Sequence, residues 1–156
     1  MATKTIRGIE ELKAAIGTEA GVTEWYEITQ QMINKFADAT GDHQWIHIDA
    51  ERAERESPFK KTVAHGFFTL SLLPMLMKQA VLVDVNAKLS VNYGFNKLRF
   101  VSPVPSGSRI RVRVTPNVVK ELEGGVEIVW GIVVEVEGSA KPAIVADWLG
   151  DRKSVV

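Results

Sequence analysis

The chain has three histidines, and two of them, His43 and His47, share one short segment with Asp42 and Asp49. A carboxylate and an imidazole that hold the same water molecule form a general acid–base pair. An imidazole with a reference pKa of about 6.5 is matched to moving a proton at neutral pH. Asp42 and His47 are five positions apart. On a straight helix they would lie about 140° apart, and on a strand an odd separation puts them on opposite faces. Only a bent loop after Gly41 would let them converge, and loops on a rigid scaffold are where catalytic pairs usually sit. A plainer reading stays open beside this one, in which Asp42 closes a turn after Gly41 and His47 is a half-buried histidine with its polar atoms satisfied. His43 is expected to face solvent. Asp49 is expected to cap a helix rather than act as an acid or base. His65, just ahead of an apolar run, is expected to be structural and to bond neighbouring backbone.

Other chemistries find less support. His43 and His47 have a spacing that binds zinc when helical, but the segment lacks a helical pattern. Gln44 and Ile46 also stand where an HExxH motif would need its glutamate, so no metal is expected. The absence of cysteine excludes thiol nucleophiles and disulfides. No G-x-S-x-G elbow, G-x-G-x-x-G fingerprint or Walker loop occurs, and Gly124-Gly125 reads as a hairpin turn. The stripe Arg109, Arg111, Arg113 is expected to be a solvated strand face opposite glutamates; holding the phosphates of a thioester carrier is a secondary reading. Nineteen basic residues balance nineteen acidic ones, which gives no electrostatic footprint for nucleic acid or an anionic membrane surface. With 156 residues, 46% hydrophobic and 24% charged, residues 1–156 suit one globular domain, with 1–21 as a helical extension at its N-terminal end.

The elements that must position these residues follow from periodicity. Ile9, Leu12 and Ile16 recur at helical spacing up to Gly17. Residues 22–28 read as a strand. Thr29 suits the N-cap of a helix whose stripe is Met32, Ile33, Phe36 and Ala37, and Gly41 suits its C-terminal end. Residues 42–49 read as irregular, and 50–56 as a short charged helix stopped before Pro58. A long helix is expected from His65-Gly66, with Phe67, Phe68, Leu70, Leu72, Leu73, Met75, Leu76 and Met77 on every side. Such a helix should be enclosed on all sides and kinked at Pro74. Thr69, Ser71, Lys78 and Gln79 leave it too polar for a membrane span. From Asn86 the period becomes two: Ile110, Val112, Val114 and Val126, Ile128, Trp130, Ile132, Val134, Val136 mark buried faces of long antiparallel strands. An apolar helix and a large antiparallel sheet define an α+β domain of hot-dog type, the sheet wrapped around a central helix. Its open strand edges favour a paired sheet and a homodimer. The N-terminal residues lack the apolar core of a secretory signal, and Ser154-Val155-Val156 is no lipidation box, so a cytoplasmic location is expected.

The run from Phe36 to Asp49, with Gly41-Asp42 and His47-Ile48-Asp49, resembles the G-D-x-N-P-x-H-x-D motif of the MaoC-like, (R)-specific enoyl-CoA hydratases. Ala64-His65-Gly66 resembles the second signature of that family, which opens its central helix. Residues 92–104 resemble the nodulation protein N-like branch. The resemblance spans about residues 25–149. It implies an enoyl-CoA hydratase that adds water to trans-2-enoyl thioesters and yields (3R)-hydroxyacyl thioesters. Asp42 and His47 would be the catalytic pair, and the backbone N–H of Gly66 would bind the thioester oxygen. Phe67, with Phe68 and Leu70, would wall the acyl site. The substrate would be an enoyl-CoA or enoyl-acyl-carrier-protein. Coenzyme A would enter only as part of the substrate, with no further cofactor. Two departures stand out: Gln44-Trp45 replaces the Asn-Pro of the motif, and Pro74 aligns with a serine common in the central helix. A thioesterase of the same fold and a non-catalytic acyl-thioester-binding protein are the competing readings.

Overall fold

The computed structural model describes residues 3–154; the readings of the two extreme ends that rest on Met1, Ala2, Val155 and Val156 lie outside them. Four long strands form the body of one antiparallel sheet: β5 (Leu89–Phe100), β6 (Arg109–Leu122), β7 (Gly125–Val136) and β8 (Ile144–Lys153). Their order is β6-β7-β8-β5, and two short pieces, β2 (Gly21–Val22) and β3 (Tyr26–Glu27), add to the far edge of β6. The alternation read from the sequence sets the two faces. Ile110, Val112, Val114, Ile128, Ile132 and Val134 are fully buried. Arg109 and Arg111 face out and pair with Glu137 and Glu135, while Arg113 pairs with Glu135 and Glu19. The arginine stripe is therefore neutralised by Glu135 of β7 together with Glu137 and Glu19 from the adjoining loops, which leaves little charge for a carrier phosphate.

The expected strand over 22–28 is two pieces with a gap. Thr23 fills it: its N–H donates to the Val112 carbonyl at 3.0 Å, and its hydroxyl accepts from the Val112 N–H at 2.9 Å. A side-chain oxygen thus replaces one rung of the ladder. At the N-terminal end, β1 (Lys4–Arg7) precedes the helix α1 (Gly8–Ala14) and pairs in parallel with β4 (Val81–Asp84), burying Ile6 in the core. The extension is thus strand as well as helix.

The central helix lies against the concave face of the sheet in two segments, α5 (Gly66–Ser71) and α6 (Leu73–Ala80), with α6 against β6. The expected kink is a break at Leu72. Pro74 has no N–H to donate, and it sits in the first turn of α6, where none is required. Enclosure on every side is not found in the single chain. Leu73, Leu76 and Met77 are buried, but Phe67 is 69% exposed and Met75 is also open. The sheet covers one side of the helix and leaves an apolar flank uncovered. No helix among the described residues is long and apolar enough to cross a membrane.

Candidate active site

Helix α2 (Gln30–Thr40) starts at Thr29, whose hydroxyl accepts the Met32 N–H. It ends at Gly41, which takes φ 78°, a left-handed conformation that suits glycine. The chain then turns sharply through Asp42. Residues 42–44 are irregular as expected, but Trp45–Ile48 closes one helical turn, α3, before Asp49 caps α4 (Ala50–Glu56) by accepting the Arg52 N–H. The turn of α3 is held from outside: the Ile46 carbonyl accepts from the Val63 N–H at 3.0 Å, and the His47 carbonyl accepts from the Gln30 amide at 2.7 Å.

This geometry brings Asp42 and His47 together. Ligand-type atoms of Asp42, His47 and His65 all lie within 4.8 Å of one another. The turn-closing bond of the plainer reading is present as well: Asp42 Oδ1 accepts the Gln44 N–H at 3.3 Å. The Asp42 side chain is about half exposed, while His47 is buried. His47 Nδ1 lies 2.7 Å from the Val63 carbonyl. A carbonyl only accepts, so Nδ1 carries the hydrogen and Nε2 keeps a free lone pair. Burial pushes the His47 pKa below its usual value and the neighbouring His65 adds to the shift, against the opposing pull of the Val63 carbonyl and Asp42. The ring is therefore neutral near pH 7, the state a proton acceptor needs.

His43 lies outside this group. It is exposed, and its Nε2 contacts Asp38 at 2.9 Å, which raises its pKa. The H-x3-H pair does not converge. The cluster that does, Asp42, His47 and His65, is close enough for one ion but badly aimed. The two imidazoles stack with centroids 3.8 Å apart and planes 24° apart, so their in-plane lone pairs run side by side rather than meeting at a point.

His65 departs from its expected role in one respect. It bonds backbone, but of a distant residue: Nε2 lies 3.0 Å from the Asp42 carbonyl. The side-chain spacing of the sequence gave no sign of the stack on His47. The following residue, Gly66, opens α5, and its first-turn N–H has no acceptor within the helix. The Phe100 ring packs onto its Cα, so that a Cβ here would fall 2.8 Å from Phe100 Cδ1. A side chain here would push the Phe100 ring aside.

Two cavities flank α5. One, about 370 Å³, is lined by Ala64, Gly66, Thr69, Phe100 and residues of the following loop. The other, about 480 Å³, is lined by Phe67, Leu70, Ser71, Pro74, Tyr93, Phe95 and Trp148. Phe67 and Leu70, expected to wall an acyl site, line this cavity. Phe68 does not; it turns inward and packs on Phe36, at 5.4 Å between centroids. The tyrosine and phenylalanine of β5 were not foreseen as lining residues. The signal in the sequence is two aromatic residues two positions apart, Tyr93 and Phe95, between Asn92, Gly94 and Asn96. Neither cavity is lined by Asp42 or His47.

Residues 11–136 match the family model described as the MaoC like domain. The chain is 51% identical over 145 residues to 3-hydroxyacyl-thioester dehydratase Z of Mycobacterium tuberculosis, covering 92% of this chain and 95% of that protein. It is 39% identical over 142 residues to nodulation protein N of Rhizobium meliloti, covering 90% of this chain and 88% of that one. An unliganded R-hydratase of Pseudomonas aeruginosa matches with a TM-score of 0.70 at 20% identity, over 90% of this chain and 83% of its own. At that identity the likeness is one of fold, and it agrees with the hot-dog arrangement.

Proposed function

The chain belongs to the MaoC-like domain family and is a hydro-lyase; on that premise we propose that it adds water reversibly across the C2–C3 double bond of trans-2-enoyl thioesters to give (3R)-hydroxyacyl thioesters, with Asp42 and His47 as the catalytic pair. One observation carries the assignment. A half-exposed carboxylate meets an imidazole whose Nδ1 hydrogen is committed to the Val63 carbonyl and whose Nε2 is free.

Water held between Asp42 and His47 Nε2 loses a proton to this pair as its oxygen bonds C3. The π electrons move onto the thioester oxygen. The Gly66 N–H, with the start of the central helix behind it, offers that oxygen a hydrogen bond in the transition state. A proton then returns to C2, and the charge is cancelled. In the reverse direction the same groups remove water from the 3-hydroxyacyl thioester. The cavity bounded by Phe67, Leu70, Tyr93 and Phe95 would take the acyl chain. The substrate is carried by coenzyme A or an acyl carrier protein, and no metal or further cofactor is required.

The working form is a homodimer. The uncovered flank of the central helix and the free edge of β5 are continuous, and Tyr93 on that strand is 67% exposed. A second copy would cover both and close the open side of the cavity.

The test is the loss of enoyl absorbance with crotonyl-CoA. Asp42→Asn and His47→Gln should each lower kcat/KM at least about a hundredfold with circular dichroism unchanged, within the range for a lost general base. Wild-type turnover in either variant would defeat the assignment. Release of free thiol from an acyl-CoA at a comparable rate would favour the thioesterase reading instead.

A further inference from the structure

We propose that His65 is a positioning residue for this reaction: it holds the Asp42 loop through its Nε2–H, and its stack on His47 keeps the donating ring in place. The inference rests on the reading of Asp42 and His47 as the reacting pair.

Four elements meet at this one imidazole. Its Nε2 lies 3.0 Å from the Asp42 carbonyl, 23 positions back in the chain. The acceptor is a carbonyl, so Nε2 carries the hydrogen and donates it. One face stacks on His47 of α3, with centroids 3.8 Å apart. Phe36 of α2 lies against the ring with centroids 4.9 Å apart and planes at 58°. The residue itself is the N-cap of α5 and directly precedes Gly66. It is 3% exposed. The ring therefore cannot swing toward solvent, and its position is set by packing before any substrate arrives.

The bond matters because of what it holds. Asp42 follows Gly41 on an exposed turn, where its N–H donates to the Thr40 hydroxyl at 3.5 Å, its carboxylate accepts from the Gln44 N–H at 3.3 Å, and its Oδ2 lies 4.0 Å from His65 Nε2. The Thr40 and Gln44 bonds stay within residues 40–44, and without a longer-range anchor a shift of about an ångström is enough to matter for a reacting group. Misplacement of that size in a reacting group can cost on the order of a hundredfold in rate. By anchoring the carbonyl of the same residue to the start of the central helix, His65 fixes the carboxylate relative to the His47 ring and the Gly66 N–H. Partners that orient metal ligands commonly cost about ten- to a hundredfold when removed, and a loss on that scale is expected for a partner that orients a reacting carboxylate.

The variants separate the hydrogen bond from the ring. His65→Leu removes both the donor and the ring; His65→Gln removes the ring but places an amide N–H near the position of Nε2. The expected result is a fall of about thirtyfold in kcat for His65→Leu with KM within about threefold, and recovery of kcat to within about threefold of the native value for His65→Gln. If His65 acts through Asp42, the losses are not independent, and Asp42→Asn/His65→Leu should lie within about threefold of Asp42→Asn alone. Equal kcat for His65→Leu and His65→Gln would overturn the proposal, and so would a loss that multiplies in full on the Asp42→Asn background. If the leucine variant does not fold, His65→Phe, which keeps a ring and has no donor, takes its place with the same outcomes. Native turnover in Asp42→Asn alone would instead defeat the assignment of the catalytic pair.

Discussion

His47 and His43 are four residues apart in sequence, and their pKa values shift in opposite directions for opposite reasons. Burial and the adjacent His65 lower His47, while Asp38 raises the exposed His43. Of these two histidines the proposed pair uses only His47, so its titration rather than that of His43 should govern turnover. A base is active when deprotonated, and a pKa held below 6.5 keeps it so at lower pH. The expected profile of kcat/KM is flat around pH 8 and falls along an acid limb centred below 6.5. A limb centred above 6.5 that persists in His43→Gln would contradict the assignment; one that vanishes in His43→Gln would name the wrong histidine. The same shift acts on stability. The unfolded chain takes up a proton at this residue more readily than the folded one, so the His47 contribution to stability is lost as pH falls below 6.5 toward the folded pKa. His43 has the reverse sign: its pairing with Asp38 stabilises below 6.5 and fades as pH rises through the raised value.

At the scale of elements, the site depends on one side chain in α2 that does no chemistry. The Gln30 amide nitrogen donates to the His47 carbonyl at 2.7 Å, and its oxygen accepts from the Thr62 hydroxyl at 2.6 Å. Thr62 is buried, so Gln30→Leu would leave a buried hydroxyl and a carbonyl without partners. Each such loss costs about 1–3 kcal/mol. Urea unfolding should show a drop of that order, and kcat should fall because α3 is freed from α2; unchanged stability would mean that the contact contributes little. No periodicity pointed to Gln30, and this marks what the sequence could not tell. Local signals were legible: Thr29 as N-cap, Gly41 as helix end, Asp49 as the cap of α4, the alternating faces of β6 and β7. Each depends on neighbours a few residues away. The junctions were not legible, because they join residues 17 to 32 positions apart: Gln30 with His47 and Thr62, and His65 with Asp42. The single turn of α3 was missed for a related reason. It is too short to show a period, and it is held by the Val63 N–H from outside rather than by its own sequence.

For the molecule as a whole, the apolar flank of the central helix is the ground for the proposed homodimer. The sequence demanded that this helix be enclosed, and one chain encloses only the side that faces the sheet. Phe67, Tyr93, Phe95, Phe100 and Val91 remain open along one continuous surface, on α5 and on β5, the terminal strand of the sheet order. A long edge strand with exposed apolar side chains is an aggregation hazard unless it is paired, and a large contiguous apolar patch marks an interface. A second copy, related by a twofold axis and pairing β5 with β5, satisfies both requirements, since a twofold interface uses the same patch twice. Sedimentation velocity should therefore show a dimer at micromolar concentration. A charge on the outer edge tests the cause: Tyr93→Lys places an ammonium where the partner would pack and should shift the protein toward monomer. Because Tyr93 and Phe95 also line the larger cavity, the monomer should bind long enoyl chains worse than short ones, seen as a greater rise in KM for long acyl groups than for crotonyl-CoA. A variant that stays fully dimeric would place the interface elsewhere. A monomer with unchanged chain-length preference would show that the partner does not help to shape the acyl site.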